Sequence, residues 1–263
     1  MKKIAVLVDL TEGSKAALQQ AKVFSDRVGS ELVIIHVAQD NVPEEIHGNI
    51  VQEFVKPIVG PSAQFSIVIG KGNFMDEIPA LIEKNTPDLV IMCTHGIHGI
   101  AQNLFGAHVL KLVQSIQRPC LVVQENSVVD ARGPLQILLP ASPFADFSVK
   151  LKTCAQVAKL FDAEVTHYEI EKYLGDTEEA IANNAHLAEE HMKAEGVKFK
   201  SVLEENKDMS LGHAQQTINY AGANGVNIIC LSSKTHHEYM AMGKADKEKF
   251  LTNNKGIPVL CCG

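Results

Sequence analysis

The residues best suited to chemistry in this 263-residue chain are Met92-Cys93-Thr94-His95-Gly96-Ile97-His98-Gly99, with Gly106-Ala107-His108 downstream. They follow the apolar run Leu89-Val90-Ile91 and precede a helical pattern, so they read as a strand end, a glycine loop and a helix start. Glycines let backbone approach a ligand, and the unpaired N–H groups at a helix start point at it. The chemistry is recognition of an anion, a phosphate above all. The second chemically apt residue is Asp9, which closes the run Ile4-Ala5-Val6-Leu7-Val8 and leads into Leu10-Thr11-Glu12-Gly13-Ser14.

Other chemistries fit less well. His95 and His98 are three apart and His236-His237 adjacent, but neither pair has a carboxylate or cysteine at ligand spacing, which argues against a metal site. The six cysteines contain no CxxC pair and fall in apolar runs, so they read as buried thiols. No Walker lysine, nucleophile elbow or Ser–His–Asp order is present. The acidic pairs Glu178-Glu179, Glu189-Glu190 and Glu204-Glu205 read as solvated faces. The expectation is a non-enzymatic protein.

The elements that position these residues alternate regularly. Residues 3–8, 31–38, 65–69, 89–92 and 119–123 are apolar, β-branched runs and predict strands. Between them lie helical patterns. Thr11 or Ser14 is the candidate N-cap of the first and Gly29 its closing residue; Pro43 starts the second; Asn73 caps the third. Near-continuous apolar strands imply burial on both faces, hence a parallel sheet with helices on each side. Right-handed crossovers then favour a doubly wound sheet, whose ligand site lies at the carboxyl ends of strands one and four. Those ends carry Asp9 and the glycine loop.

The second half repeats the first. Residues 137–140 match 4–7 at an offset of 133, and residues 226–231 match 87–92 at an offset of 139. The six additional residues are expected within residues 176–195, a Glu- and Ala-rich stretch. The polar stretch 126–134, with Gly133 and Pro134, separates the copies, so the domains are read as residues 1–126 and 134–263. In the second copy Ser142 stands at the place of Asp9, and Ser232-Ser233-Lys234-Thr235-His236-His237 at the place of the glycine loop.

A net charge of −7 argues against a general nucleic-acid binder. No apolar run approaches the ~20 residues of a membrane span. The apolar stretch before Asp9 is shorter than the roughly 7–15 residues of a signal peptide core, so a cytoplasmic protein is expected.

The motifs resemble the universal stress protein family in tandem. The resemblance rests on Val6-Leu7-Val8-Asp9 with its following turn and serine, and on Cys93-Thr94-His95-Gly96, separated by nine residues from Gly106-Ala107. Pro119-Cys120-Leu121-Val122-Val123 resembles the family's fifth strand. The first copy carries the motifs and the second only the framework. The resemblance implies two Rossmann-like (adenine nucleotide alpha hydrolase-like) domains, each a five-stranded parallel sheet. It further implies a stress-response module, with an adenine nucleotide (ATP or AMP) bound by some members. The implied contacts are Asp9 and Val37 for adenine and ribose, and Gly96, Gly106 and Ala107 for phosphates, with Met92, Thr94, His95 and Gly99 in the same strand end and loop. Other members act as nucleotide-independent signalling or assembly modules, so an interaction protein with both sites vestigial and an unknown protein partner is the alternative. Single-domain relatives pair through their fifth strands, which implies an intrachain pseudo-dimer through residues 119–123 and 258–262 and leaves further dimerisation open.

Two residues depart from the motif. Cys93 replaces a glycine and brings a side chain toward the ribose and phosphates. Ala107 replaces a hydroxyl residue and removes a charge-assisted bond of roughly 1–2 kcal/mol.

Overall fold

The computed structural model describes residues 1–38, 42–61, 63–94, 107–125, 127, 129–144, 146–171, 178–206, 212–234 and 244–263. The chain divides into two compact units, Met1–Asp130 and Ala131–Gly263.

The first unit runs β1 (Lys3–Leu7), α1 (Glu12–Val28), β2 (Glu31–Ala38), α2 (Glu44–Val59), β3 (Phe65–Lys71), α3 (Phe74–Asn85), β4 (Leu89–Cys93), α4 (Ala107–Ser115), β5 (Cys120–Val123). Its strands are parallel and ordered β3-β2-β1-β4-β5. Strand order reverses between β1 and β4, and right-handed crossovers then place two helices on each face. The packing agrees: α1 lies against α2, and α3 against α4. The strand interiors are apolar on both faces; Ile4, Val6, Ile34 and Ile91 are fully buried. Each such side chain contributes about 1.5–3 kcal/mol over its exposed state.

The helix ends follow the local chemistry. Asn73 accepts from the Met75 N–H at 2.8 Å as N-cap of α3. Gly29 closes α1 at φ 69°, the left-handed region that glycine enters without strain. Thr11, rather than Ser14, is the N-cap of α1. Pro57 lies inside α2, which ends two residues later at Val59.

The second unit runs β6 (Gln136–Pro140), α5 (Phe147–Leu160), β7 (Glu164–Ile170), α6 (Glu178–Glu195), β8 (Lys198–Glu204), α7 (His213–Ala223), β9 (Ile228–Ser232), α8 (Lys244–Leu251), β10 (Val259–Cys262). Its strands are parallel in the order β8-β7-β6-β9-β10. The duplication holds to the residue. Ile4 pairs with Leu32 and Leu89; Ile137 pairs with Val165 and Ile228. The Val8 N–H donates to Ile35, and the Ala141 N–H to Tyr168.

The placement of the six additional residues is corrected. Leu32 pairs with Phe65 and Val165 with Phe199, so one residue is gained before β8. The other five fall between β8 and β9. The 18-residue α6 exceeds the 16-residue α2, but it takes up connecting chain as it lengthens. A Glu/Ala-rich helix looks like an insertion in sequence because its composition, not its net length, is unusual.

Among the described residues no helix is long and apolar enough to cross a membrane, and no group of His, Cys, Asp and Glu is arranged to hold a metal ion. All six cysteines are free and buried.

Candidate functional site

After β1 the chain turns through Leu10, which sits at φ 67°, an uncommon conformation for a residue with a side chain. Asp9 holds this turn. Its Oδ1 accepts from the Thr11 N–H at 3.1 Å, from the Thr11 hydroxyl at 2.6 Å and from the Ser14 hydroxyl. The Ser14 oxygen in turn accepts the Asp9 N–H at 2.8 Å. The Thr11 side chain therefore makes no cap bond to α1. The other carboxylate oxygen, Oδ2, is buried and accepts no hydrogen bond among the described residues. Leaving such a group unsatisfied costs about 1–3 kcal/mol.

Asp9 lines a cavity of about 330 Å³, at the low end of the ~300–1,000 Å³ of small-molecule sites. Val37 and His36 come to it from β2, Met92 and Cys93 from β4, His47 from α2 and Val109 from α4. It therefore opens outside the carboxyl ends of β1, β2 and β4, where a doubly wound sheet binds its ligands. The walls are mostly apolar, with Asp9, Ser14, His36 and His47 among the few polar groups.

Of the sequence-derived site residues, Asp9, Val37 and Met92 line the cavity together. Thr94 is buried just beyond β4, its N–H donating to the Val123 carbonyl at 3.0 Å, and is not in the cavity wall. Ala107 opens α4. His95, Gly96, Gly99 and Gly106 lie outside the described residues. Cys93 is in the cavity wall, where its side chain takes up space that a glycine would leave.

Two histidines were not anticipated. The His36 and His47 rings lie 5.6 Å apart between centroids, tilted by 35°. The His36 Nδ1–H donates to the Val8 carbonyl at 2.8 Å, which ties the end of β2 to the end of β1. The available signal was a polar ring inside the apolar run Leu32-Val33-Ile34-Ile35-His36-Val37.

The equivalent strand ends of the second unit are filled by its own side chains. The Lys150 Nζ of α5 donates to the Pro140 carbonyl at the end of β6 at 2.7 Å. The Lys247 Nζ of α8 donates to the Ser232 carbonyl at the end of β9 at 2.8 Å and also to the Lys234 carbonyl. Burial draws the Lys247 ammonium down to about 8, against the attraction of Asp146. The Ser232 hydroxyl bonds the Asp146 carboxylate. No sequence motif announced this arrangement, which depends on side chains far apart in the chain.

Residues 56–124 match the sequence model of the Universal stress protein family, a segment that carries β3, β4 and β5. No curated protein matches the chain. A universal stress protein structure from Archaeoglobus fulgidus DSM 4304 has 14% identity and a TM-score of 0.68, covering 99% of this chain and 95% of its own. A functionally unknown protein from Pseudomonas aeruginosa PAO1 has 16% identity and a TM-score of 0.63, with 100% and 92% coverage. A structure described as a putative universal stress protein, from Pseudomonas aeruginosa UCBPP-PA14, has 14% identity and a TM-score of 0.62, with 100% and 93% coverage. At these identities the likeness is one of fold. It spans both units, so the two Rossmann-like units share the fold of these proteins.

Proposed function

We propose that this chain, whose first unit carries a universal stress protein segment, is a non-enzymatic stress-response module that holds one adenine nucleotide, ATP or AMP, in that unit. The observation that carries the reading is the Asp9 carboxylate at the cavity, whose Oδ2 is buried and unsatisfied among the described residues. A buried acceptor of this kind is explained by a ligand donor, and the exocyclic amine of adenine and the ribose hydroxyls are donors of the right kind. Val37 and Met92 supply apolar walls for the base. The start of α4 supplies N–H groups for phosphates. The second unit, with Ser142 for Asp9 and lysines seated on its strand ends, is a degenerate partner.

The second reading, a nucleotide-independent interaction module, is favoured by Cys93 in the cavity wall and by alanine at position 107. Thermal unfolding of the full chain with millimolar ATP or AMP separates the two. A bound nucleotide at about 100 times its Kd raises stability by about 2.7 kcal/mol. An unmoved transition with both nucleotides, and a captured protein partner indifferent to them, would establish the second reading.

A further inference from the structure

A polar stripe is buried between α5 and the strands β9 and β10. Asp146, Lys150 and Cys154 recur every four residues and so lie on one face of α5. That face packs on β9 and β10. Cys230 and Ser232 share one face of β9, and Cys262 pairs with Ser232 from β10. The stripes meet: Ser232 bonds Asp146, Cys154 bonds Cys230, and the Cys230 and Cys262 sulfurs are 3.5 Å apart. Lys150 is 2% exposed. Its Nζ lies 4.8 Å from the centre of the Phe147 ring; burial lowers its pKa, and the charges of Cys230, Cys262, Asp146 and Cys154 oppose that and favour the ammonium.

The first unit is an internal control. At the positions of Asp146, Lys150 and Cys154 it has Gly13, Ala17 and Ala21; at those of Cys230 and Cys262 it has Ile91 and Val123. The same helix-on-sheet contact is thus built there from small and aliphatic side chains, all buried. The fold does not require the stripe. A buried lysine without compensating groups is costly, so its presence calls for a use.

The choice of chemistry follows from charge. An ammonium among thiols repels a metal cation and favours a thiolate, the nucleophilic form of cysteine. We propose that Cys230, Cys262 and Lys150 form a peroxide-reactive dithiol, which closes to a Cys230–Cys262 disulfide on oxidation. Burial opposes ionisation of Cys230. The bonds from Cys154 and Cys262 and the charge of Lys150 outweigh it and hold this thiol well below its ordinary range. Burial and the bond to Cys230 hold Cys262 well above it, so the two sulfurs are unlike. Cys261 points to the other face of β10, and burial pushes it up to about 12. It is the built-in bystander.

The step balances with hydrogen peroxide as oxidant. The Cys230 thiolate attacks one peroxide oxygen and the O–O bond breaks. The departing hydroxide takes a proton from Lys150 and leaves as water, giving a sulfenic acid. The Cys262 sulfur then attacks the Cys230 sulfur, the S–O bond breaks, and the hydroxyl leaves with the Cys262 proton as a second water. Two thiols lose two electrons and the peroxide gains them. Full burial of the three sulfurs restricts the oxidant to a small, uncharged molecule, and bulky disulfides are excluded.

The test is peroxide treatment of the reduced full chain, followed by alkylation in denaturant, intact mass and peptide mapping. Two of six thiols are expected to disappear, in a peptide joining Cys230 to Cys262. Cys262→Val, which copies Val123, is expected to stop at a Cys230 sulfenic acid that dimedone traps. Lys150→Ala, which copies Ala17, is expected to keep the native circular dichroism and to slow the loss severalfold, because the thiolate loses its neighbouring cation. Six alkylatable thiols after exposure that oxidises a free cysteine peptide overturn the proposal. So does a cross-link through other cysteines, or an unchanged rate in folded Lys150→Ala.

Discussion

Ser14 and Asp9 are joined by two hydrogen bonds in opposite directions: the Asp9 N–H donates to the Ser14 oxygen at 2.8 Å, and the Ser14 hydroxyl donates to Asp9 Oδ1. The pair fixes the carboxylate with its other oxygen buried at the cavity. Ser14→Ala removes both bonds and leaves a buried N–H behind. It is expected to lower stability by about 1–2 kcal/mol in urea unfolding and to weaken ATP binding, because the carboxylate loses its set orientation. Unchanged unfolding and binding would show that the pair has no such role.

In the proposed nucleotide site Ala107 takes the place of a hydroxyl residue. Ala107→Ser is expected to tighten ATP binding by about 5–30-fold, the equivalent of the roughly 1–2 kcal/mol bond that alanine omits. Titration of the wild type and the variant under one buffer checks this. A variant no tighter than the wild type places the phosphates elsewhere.

His167 is 1% exposed, set edge-on to Phe147 and stacked on Phe199. Burial first, and the Lys150 charge second, depress it to about 4. In the unfolded chain a histidine titrates near 6.5, so between about 6.5 and 4 the unfolded state binds a proton that the native state does not. The stability held by the neutral ring is present above that window and lost as pH falls through it, by about 3 kcal/mol at the lower end. His167→Ile copies Ile34 of the first unit and is expected to abolish this loss. Urea unfolding at pH 7.5 and 5 compares the two, and a difference that does not grow at the lower pH contradicts the assignment.

Thr86 closes α3 in the left-handed region, at φ 46°. A β-branched residue is strained there, while glycine is not. Thr86→Gly is expected to raise stability by about 1 kcal/mol, seen as a higher melting temperature. A lower one would mean that the threonine makes contacts outweighing its backbone strain.

The strands, the alternation of helices and the duplication were legible because burial on two faces leaves long apolar runs, and those runs recur at fixed offsets. The places of Asp9 and Met92 at one cavity were legible because a doubly wound sheet gathers the carboxyl ends of β1 and β4, while Val37 came only from the family resemblance. His36 and His47 were not legible. Each sits as one polar residue in an otherwise ordinary element, and only the packing of α2 over β2 brings the rings together. The Lys150 stripe was hidden for the same reason: Asp146 and Ser232 are 86 residues apart and meet only when α5 lies on β9. Local pattern reports burial, while polar contacts between distant elements depend on register and packing.

Isothermal titration of the full chain with ATP, wild type beside Asp9→Asn, tests the central claim most directly. The account predicts one ATP per chain for the wild type. For Asp9→Asn, still folded by circular dichroism, it predicts an affinity lower by about 10–100-fold, the value of a hydrogen bond to a charged group. No binding heat for the wild type with either ATP or AMP, or equal affinity in Asp9→Asn, would contradict it.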